Sequence, residues 1–289
     1  MTSLFPAPAP SLPDSTTALI KGCYPTSSPI HLCISHLRSR PQGKALLFTP
    51  SRPAFPAGLK EFDDAWLASC GGHGRISGLT ARVKVLYPPS PAHLALVLSM
   101  LHVSKETENY PLIACEEAPS LVVLHEISSY FLPADPSHTI SSYLSLVAHA
   151  LAAVNMMNAT RPGTSLVLFD SRIDELKLPV IEPVFRRLNF ENGDEDTPDP
   201  PVRKESVSFL VAKYFEWCGT VENASSANAT RSDSLDAETG GVEKRTRLRL
   251  VHTAGRSEDI LWEWAEKAGP ARPSTERLGI EFDWTPAIQ

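Results

Sequence analysis

The sequence predicts an α/β domain built on a mostly parallel sheet, and three observations carry that prediction. Short continuous apolar runs, such as residues 120–124 (SLVVL) and 165–169 (SLVLF), have the form of strands buried on both faces. They alternate with stretches of helical period, clearest where Ile140, Tyr143, Leu144, Val147, Leu151 and Val154 recur on one face. Near the C-terminus, residues 247–251 and 260–264 bracket HTAGRSED as a hairpin with a long turn, which adds antiparallel strands at one edge of the sheet.

Taken in order, residues 30–37 (IHLCISHL) read as the first strand, and RSRPQGK as the turn into a second strand at 45–49 (ALLFT). Residues 58–69 read as a short helix. Residues 81–87 (ARVKVLY) alternate like a strand and are stopped by Pro88 and Pro89. Ser90 is a good N-cap with Pro91 at the first helical position, and the helix runs to about His102 with Leu94, Leu98 and Leu101 on one face. Residues 120–124 are the central strand. Asp135 and Pro136 open the longest helix, with Asn158 and Gly163 as stop signals before the strand at 165–169. Residues 206–218 fit helix and strand equally. The expected organisation is a Pro/Ser-rich N-terminal segment at 1–28, a domain at 29–267 with flexible insertions at about 191–205 and 222–245, and a C-terminal tail at 268–289.

Composition narrows the function classes. A net charge of −6 argues against a general nucleic-acid coat, though it leaves room for a local basic patch. The five cysteines (Cys23, Cys33, Cys70, Cys115 and Cys218) are scattered and odd in number, which fits small core residues in a reducing compartment. The sequons at Asn158, Asn223 and Asn228 are accordingly expected to be unmodified. The N-terminus has neither a basic n-region nor an apolar h-region, so no signal peptide is expected. No uninterrupted apolar run approaches the roughly 20 residues of a membrane-spanning helix, so none is expected either.

The chemistry tests come out negative. A P-loop needs two glycines, a lysine and a hydroxyl at fixed spacing, followed by a helix whose N-terminus faces the phosphates. Gly43-Lys44 resembles the end of that motif, but Arg38 stands at the first glycine, Ala45 at the hydroxyl, and a strand follows at once. At the end of the central strand, where an acid would order a metal's water shell, His125 precedes Glu126. No nucleotide, cofactor or metal is therefore expected, and no catalytic residue. Cys70-Gly-Gly-His73 lacks the second pair of a zinc site, so Cys70 reads as the end of a helix and Gly71, Gly72 and Gly74 as a loop. Asp170 would suit a hydrolase of another fold, with His125 and a serine, but no G-x-S-x-G elbow accompanies it.

Three blocks, ALLFTPSRPAFPAGL at 45–59, ARVKVLYPPSPAHLALVLSMLH at 81–102 and APSLVVLHEISSYFLPAD at 118–135, resemble a known family in their content and order. It is the small RecA-like recombinase paralogues that partner the SWIM-domain protein in the animal Shu complex. The Tyr87-Pro88-Pro89 block is the most distinctive, and the match covers about residues 30–172. The resemblance implies a RecA-like fold with its P-loop lost, of which Gly43, Lys44, His125 and Glu126 would be the nucleotide-binding remnant. It also implies a nuclear, non-catalytic role in homologous recombination and DNA repair, through pairing with a SWIM-domain protein, promoting assembly of the RecA-type recombinase, and weak binding of single-stranded or branched DNA. Arg38, Arg40 and Lys44 in one turn, Arg82 and Lys84 on one strand, and Arg247 and Arg249 in a third cluster are the candidate phosphate contacts. A RecA-like subunit of the Elongator tRNA-modification assembly is the alternative from the same fold.

Overall fold

The computed structural model describes residues 2–101, 118–132, 138–160, 162–180, 203–224, 244–255, 257–272 and 275–285. The expected helix start at Asp135 and Pro136, Cys115, His102, Asn228 and most of both expected insertions lie outside them.

The molecule is an α/β structure centred on one sheet of nine strands. In chain order these are β1 (Thr17–Gly22), β2 (Ala45–Phe48), β3 (Val83–Leu86), β4 (Leu121–His125), β5 (Ser165–Asp170), β8 (Trp217–Asn223), β9 (Lys244–His252), β10 (Ile260–Arg272) and β11 (Thr275–Thr285). Their spatial order is β11-β10-β9-β8-β1-β5-β4-β2-β3. From β8 to β3 every pairing is parallel, and from β8 to β11 every pairing is antiparallel. Strands β6 (Lys177–Pro179) and β7 (Lys204–Ser206) form a small separate ladder. The runs at 45–49, 120–124 and 165–169 are doubly buried strands: every residue of β2 and β4 is buried, as are five of six in β5.

Helices cover both faces. One face packs under α5 (Pro91–Met100), α6 (Ile140–Thr160) and α7 (Val207–Ala212), around Leu94, Tyr143, Val147 and Phe215. Ser90 caps α5 by accepting the His93 N–H, with Pro91 in the first turn, as expected. Asn158 ends α6 by accepting the N–H groups of Gly163 and Thr164 at 3.0 and 2.7 Å. In length and composition α6 matches a membrane span, contrary to the expectation. Its serines and asparagines break the apolar run without adding charge, and it lays Tyr143, Val147, Val154 and Met157 into the core.

The other face holds the main departure from the expected fold. Residues 30–37 are not a strand but the body of α1 (Ser28–Ser39), and the strand before them is β1, inside the segment set apart as 1–28. Eight of the twelve residues of α1 are buried, and Ile30, Leu32 and Ile34 alternate as they would in a strand. The sheet lies under it, and the N-terminal residues and β11 lie against it. Leu4 and Phe5 are buried, with Phe5 meeting Trp264, Phe282 and Trp284 at ring distances of 4.8, 5.2 and 4.7 Å. β10 and β11 thus make sheet out of the expected tail at 268–289. β11 also reaches the helices α2 (Ala54–Phe62) and α3 (Ala65–Cys70), where the Ile280 N–H donates to the Asp63 carbonyl at 2.8 Å. These two helices replace the single one expected at 58–69. Cys70 does end α3, and α4 (Gly74–Thr80) follows.

A buried polar pair pins α1 to α3. His31 Nε2 lies 2.7 Å from Asp64 Oδ2, and Asp64 Oδ1 caps α3 by accepting the Leu67 N–H at 2.9 Å. Burial works against ionising Asp64, but its bond to His31 and the Leu67 N–H outweigh it and hold the carboxyl below its ordinary range. Replacing His31 with Ala strips the buried carboxylate of its partner and is expected to lower the unfolding free energy by about 3 kcal/mol, read by urea denaturation. A loss under about 1 kcal/mol would mean the pair behaves like an exposed one.

Candidate functional site

The carboxyl ends of β1, β2, β4 and β5 border a cleft of about 330 Å³, the place where open α/β sheets bind ligands. Tyr24 and Thr26 come from the β1–α1 loop, Thr49 and Ser51 from the end of β2, Phe55 from α2, His125 and Glu126 from the end of β4, and Ser171 from the end of β5.

The β1–α1 loop stands where a P-loop would, between a strand and a helix. It reads Gly22-Cys23-Tyr24-Pro25-Thr26-Ser27-Ser28-Pro29, so on the first glycine the pattern meets Ser27, Ser28 and Pro29 at the second glycine, lysine and hydroxyl. Gly22 has φ +86°, and a Cβ there would lie 2.2 Å from the Val221 carbonyl oxygen, so this glycine is required by the approach of β8. Several of the loop's amide groups are turned onto the chain itself. Cys23 N–H donates to Val221 O, Tyr24 N–H to Gly22 O, Ser28 N–H to Pro25 O, and Ile30 and His31 N–H to Ser27 O, while Pro25 and Pro29 have none. The second glycine, the lysine and the hydroxyl of a P-loop are all missing from it.

Glu126 dominates the cleft. Its φ of 54° is unusual for a residue with a side chain. Neighbours hold it there: its N–H donates to Phe169 O at 2.7 Å, and its carbonyl accepts from the Ser129 N–H and hydroxyl at 3.1 and 2.7 Å. Its carboxylate Oε1 accepts the Tyr24 hydroxyl and the Ser171 N–H (3.1 Å), and Oε2 accepts the Ser171 hydroxyl at 2.9 Å. Burial, followed by the charge of Glu126, pushes the Tyr24 phenol well above its ordinary range. His125 Nδ1 lies 3.2 Å from Thr49 Oγ1, and burial lowers the imidazole to about 4 against the opposing pull of Glu126.

Behind the cleft lies Asp170, fully buried, whose Oδ2 accepts the Ser128 N–H and the Tyr143 hydroxyl, each at 2.8 Å. Burial, with the neighbouring Glu126, raises it to about 7. Asp170 bonds Ser128 and Tyr143 while His125 bonds Thr49, so the acid–histidine link required by the hydrolase reading is not formed. Among the described residues no group of three or more His, Cys, Asp and Glu side chains is arranged to hold a metal ion.

Sequence reasoning singled out His125 and Glu126, and both line the cleft. Gly43 and Lys44 do not: their turn joins α1 to β2 at the amino ends of the parallel strands, the opposite end of the sheet. Residues 30–37 being a helix, the strand-to-helix turn here is the β1–α1 loop, and the turn at Gly43 and Lys44 runs from helix to strand. Arg38, Arg40, Lys44 and Arg82 share that opposite corner. Arg82 is a structural tie there, donating to the carbonyls of Leu37, Arg40, Pro41 and Gly43, and Arg40 donates to Gly163 O. Lys84 is exposed on the edge strand β3. Arg247 pairs with Glu222 at 3.2 Å and Arg249 with Asp259 at 2.6 Å. Tyr24 and Ser171 were missed; the signal was Gly22 closing TALIKG just before a Ser-Ser-Pro helix start.

The titrations have opposite signs. His125 and His36, both lowered to about 4 by burial, bind protons more readily when unfolded, so each removes stability as pH falls from about 6.5 to 4, at about 1.4 kcal/mol per unit. The raised Asp170 stabilises at low pH, and its contribution is lost as pH climbs from about 4 through 7. An Asp170→Asn variant, always neutral, should therefore gain roughly 4 kcal/mol relative to the parent between pH 4 and pH 8 in denaturant titrations. A pH-independent difference would remove Asp170 from this account.

Neither a protein-family model nor a curated protein matches the chain.

Proposed function

We propose that the protein is a non-catalytic RecA-like subunit that works by binding partners, in a Shu-type complex supporting homologous recombination and DNA repair in the nucleus. The observation that carries this reading is the engagement of the Glu126 carboxylate, at the strand ends, in the chain's own bonds to Tyr24 and Ser171. A loop without the lysine and hydroxyl of a P-loop stands beside it. A crevice so furnished suits a subunit that has kept a scaffold and given up nucleotide turnover.

The architecture is compatible with a RecA-like or Rossmann-type scaffold. The three blocks that carry the resemblance supply β2 with the start of α2, β3 with α5, and β4, and these strands are neighbours in the sheet. The resemblance thus falls on one contiguous half of the fold. The partners in this reading are a SWIM-domain protein and the RecA-type recombinase. DNA contact is secondary to pairing, since Arg40, Arg82, Arg247 and Arg249 all make bonds within the chain. It would be made from the corner where Arg38, Arg40 and Lys44 lie together, with the salt sensitivity of phosphate contacts.

Affinity purification from the native cell is expected to bring down a SWIM-domain protein. Recovery of a ring of other RecA-like subunits would overturn the Shu-type assignment in favour of an Elongator-type one. Calorimetric titration of the purified protein with ATP is expected to give no saturable binding tighter than about 1 mM. Micromolar binding would refute the closed-cleft reading.

A further inference from the structure

We infer that the cleft between Tyr24, Phe55 and Glu126 is a binding slot for an organic cation, an ammonium or guanidinium group carried by a small amine or by a basic side chain of a partner. The inference deepens the reading of the cleft as closed to nucleotides and rests on that part of it alone.

Three of its eleven lining residues are aromatic, Tyr24, Phe55 and His125; the Phe55 and His125 rings are 5.0 Å apart and the Tyr24 ring stands 6.3 Å from His125, beside a space of about 330 Å³. Aromatic rings favour a cation as neighbour. Burial keeps the His125 imidazole neutral near pH 7, so it does not repel a positive group. The cleft lies at the lower end of the size range of small-ligand sites, which suits an alkyl chain ending in one charged group.

The floor is a carboxylate with capacity to spare. A carboxylate offers about four acceptor sites. The chain fills two on Oε1, through Tyr24 and Ser171, and one on Oε2, through the Ser171 hydroxyl. One site on Oε2 is left, and the Glu126 side chain is 22% exposed where it lines the cleft. None of the lining residues is Lys or Arg. Lys21, on the adjoining strand β1, is held elsewhere by Asp174 and Ser208 at 2.8 and 3.2 Å. The hydroxyls of Thr26, Ser51 and Ser129 line the same space and can accept further N–H bonds. The αL backbone of Glu126, fixed by Phe169 and Ser129, holds the acid in place before any ligand arrives.

The test follows the ring signals of Tyr24 and His125 by NMR during titration with N-acetyl-arginine methylamide and with its neutral isostere N-acetyl-citrulline methylamide. The arginine probe should bind saturably and the citrulline probe at least about tenfold more weakly. Glu126→Gln, whose amide oxygen still accepts from Tyr24 and Ser171, should weaken the arginine probe by about tenfold. Tighter binding of a Gly-Gly-Arg-Gly-Gly peptide than of the blocked amino acid assigns the slot to a partner's side chain. Tighter binding of agmatine assigns it to a free amine, and either result supports the slot. Equal affinity for the two blocked probes, an unaffected Glu126→Gln variant with a native melting curve, or no saturation by about 20 mM probe would overturn it. ATP binding would overturn the closed-cleft reading separately, through the calorimetric titration, so the two failures are distinguishable.

Discussion

The Glu126 carboxylate ties the carboxyl ends of three strands together. Through Tyr24 it holds the β1–α1 loop, through Ser171 the end of β5, and it stands itself at the end of β4. The αL turn at Glu126 also sends the chain into the short turn Ile127–Tyr130, which delivers the Ser128 N–H to Asp170. Two acids are thereby brought close, and the fully buried one is lifted to about 7 by its burial and by the other's charge. Near neutrality the protein can carry one negative charge at this end of the sheet without carrying two, as like-charged neighbours require. The same arrangement that closes the cleft to phosphates gives it an anionic floor.

A second constraint is the enclosure of α1. A helix flanked only by a sheet keeps a solvent stripe, whereas here β11, α3 and the N-terminal residues approach it as well. Phe282 meets both His31 and Phe62, and Phe5 fills the space beside Trp264 and Trp284. The antiparallel half of the sheet is therefore coupled to the parallel half through α1. The loop at the start of α1 is held by Val221 O on one side and through Tyr24 by Glu126 on the other.

The parts of the fold that could be read were those with a local cause. Strands β2, β4 and β5 announce themselves because burial on both faces demands unbroken apolar runs, and α5 because Ser90 and Pro91 form a start signal. The β9–β10 hairpin was legible from its alternation. β1 was not, being six residues long inside a proline-rich stretch, and α1 was not, because Ile30, Leu32 and Ile34 alternate as they would in a strand. That one inversion hides the strand-to-helix turn at Gly22–Pro29 and puts the turn at Gly43 and Lys44 in its place. In the cleft, His125 and Glu126 were legible from their place at a strand end. Tyr24 and Ser171 lie 102 and 45 residues from Glu126, and no spacing rule links residues that meet only across strand ends.

The Tyr24–Glu126 bond is the centre of this account, and the ionisation of Tyr24 reports on it directly. In an NMR pH titration the Tyr24 ring should remain protonated well past about 10, the ordinary value for a phenol. The same titration on Glu126→Gln should move it down towards that value, since the charge opposing ionisation is gone. A Tyr24 ring that titrates near 10 in the unaltered protein, with no change in the variant, would contradict the claim that the chain turns Glu126 to its own bonds.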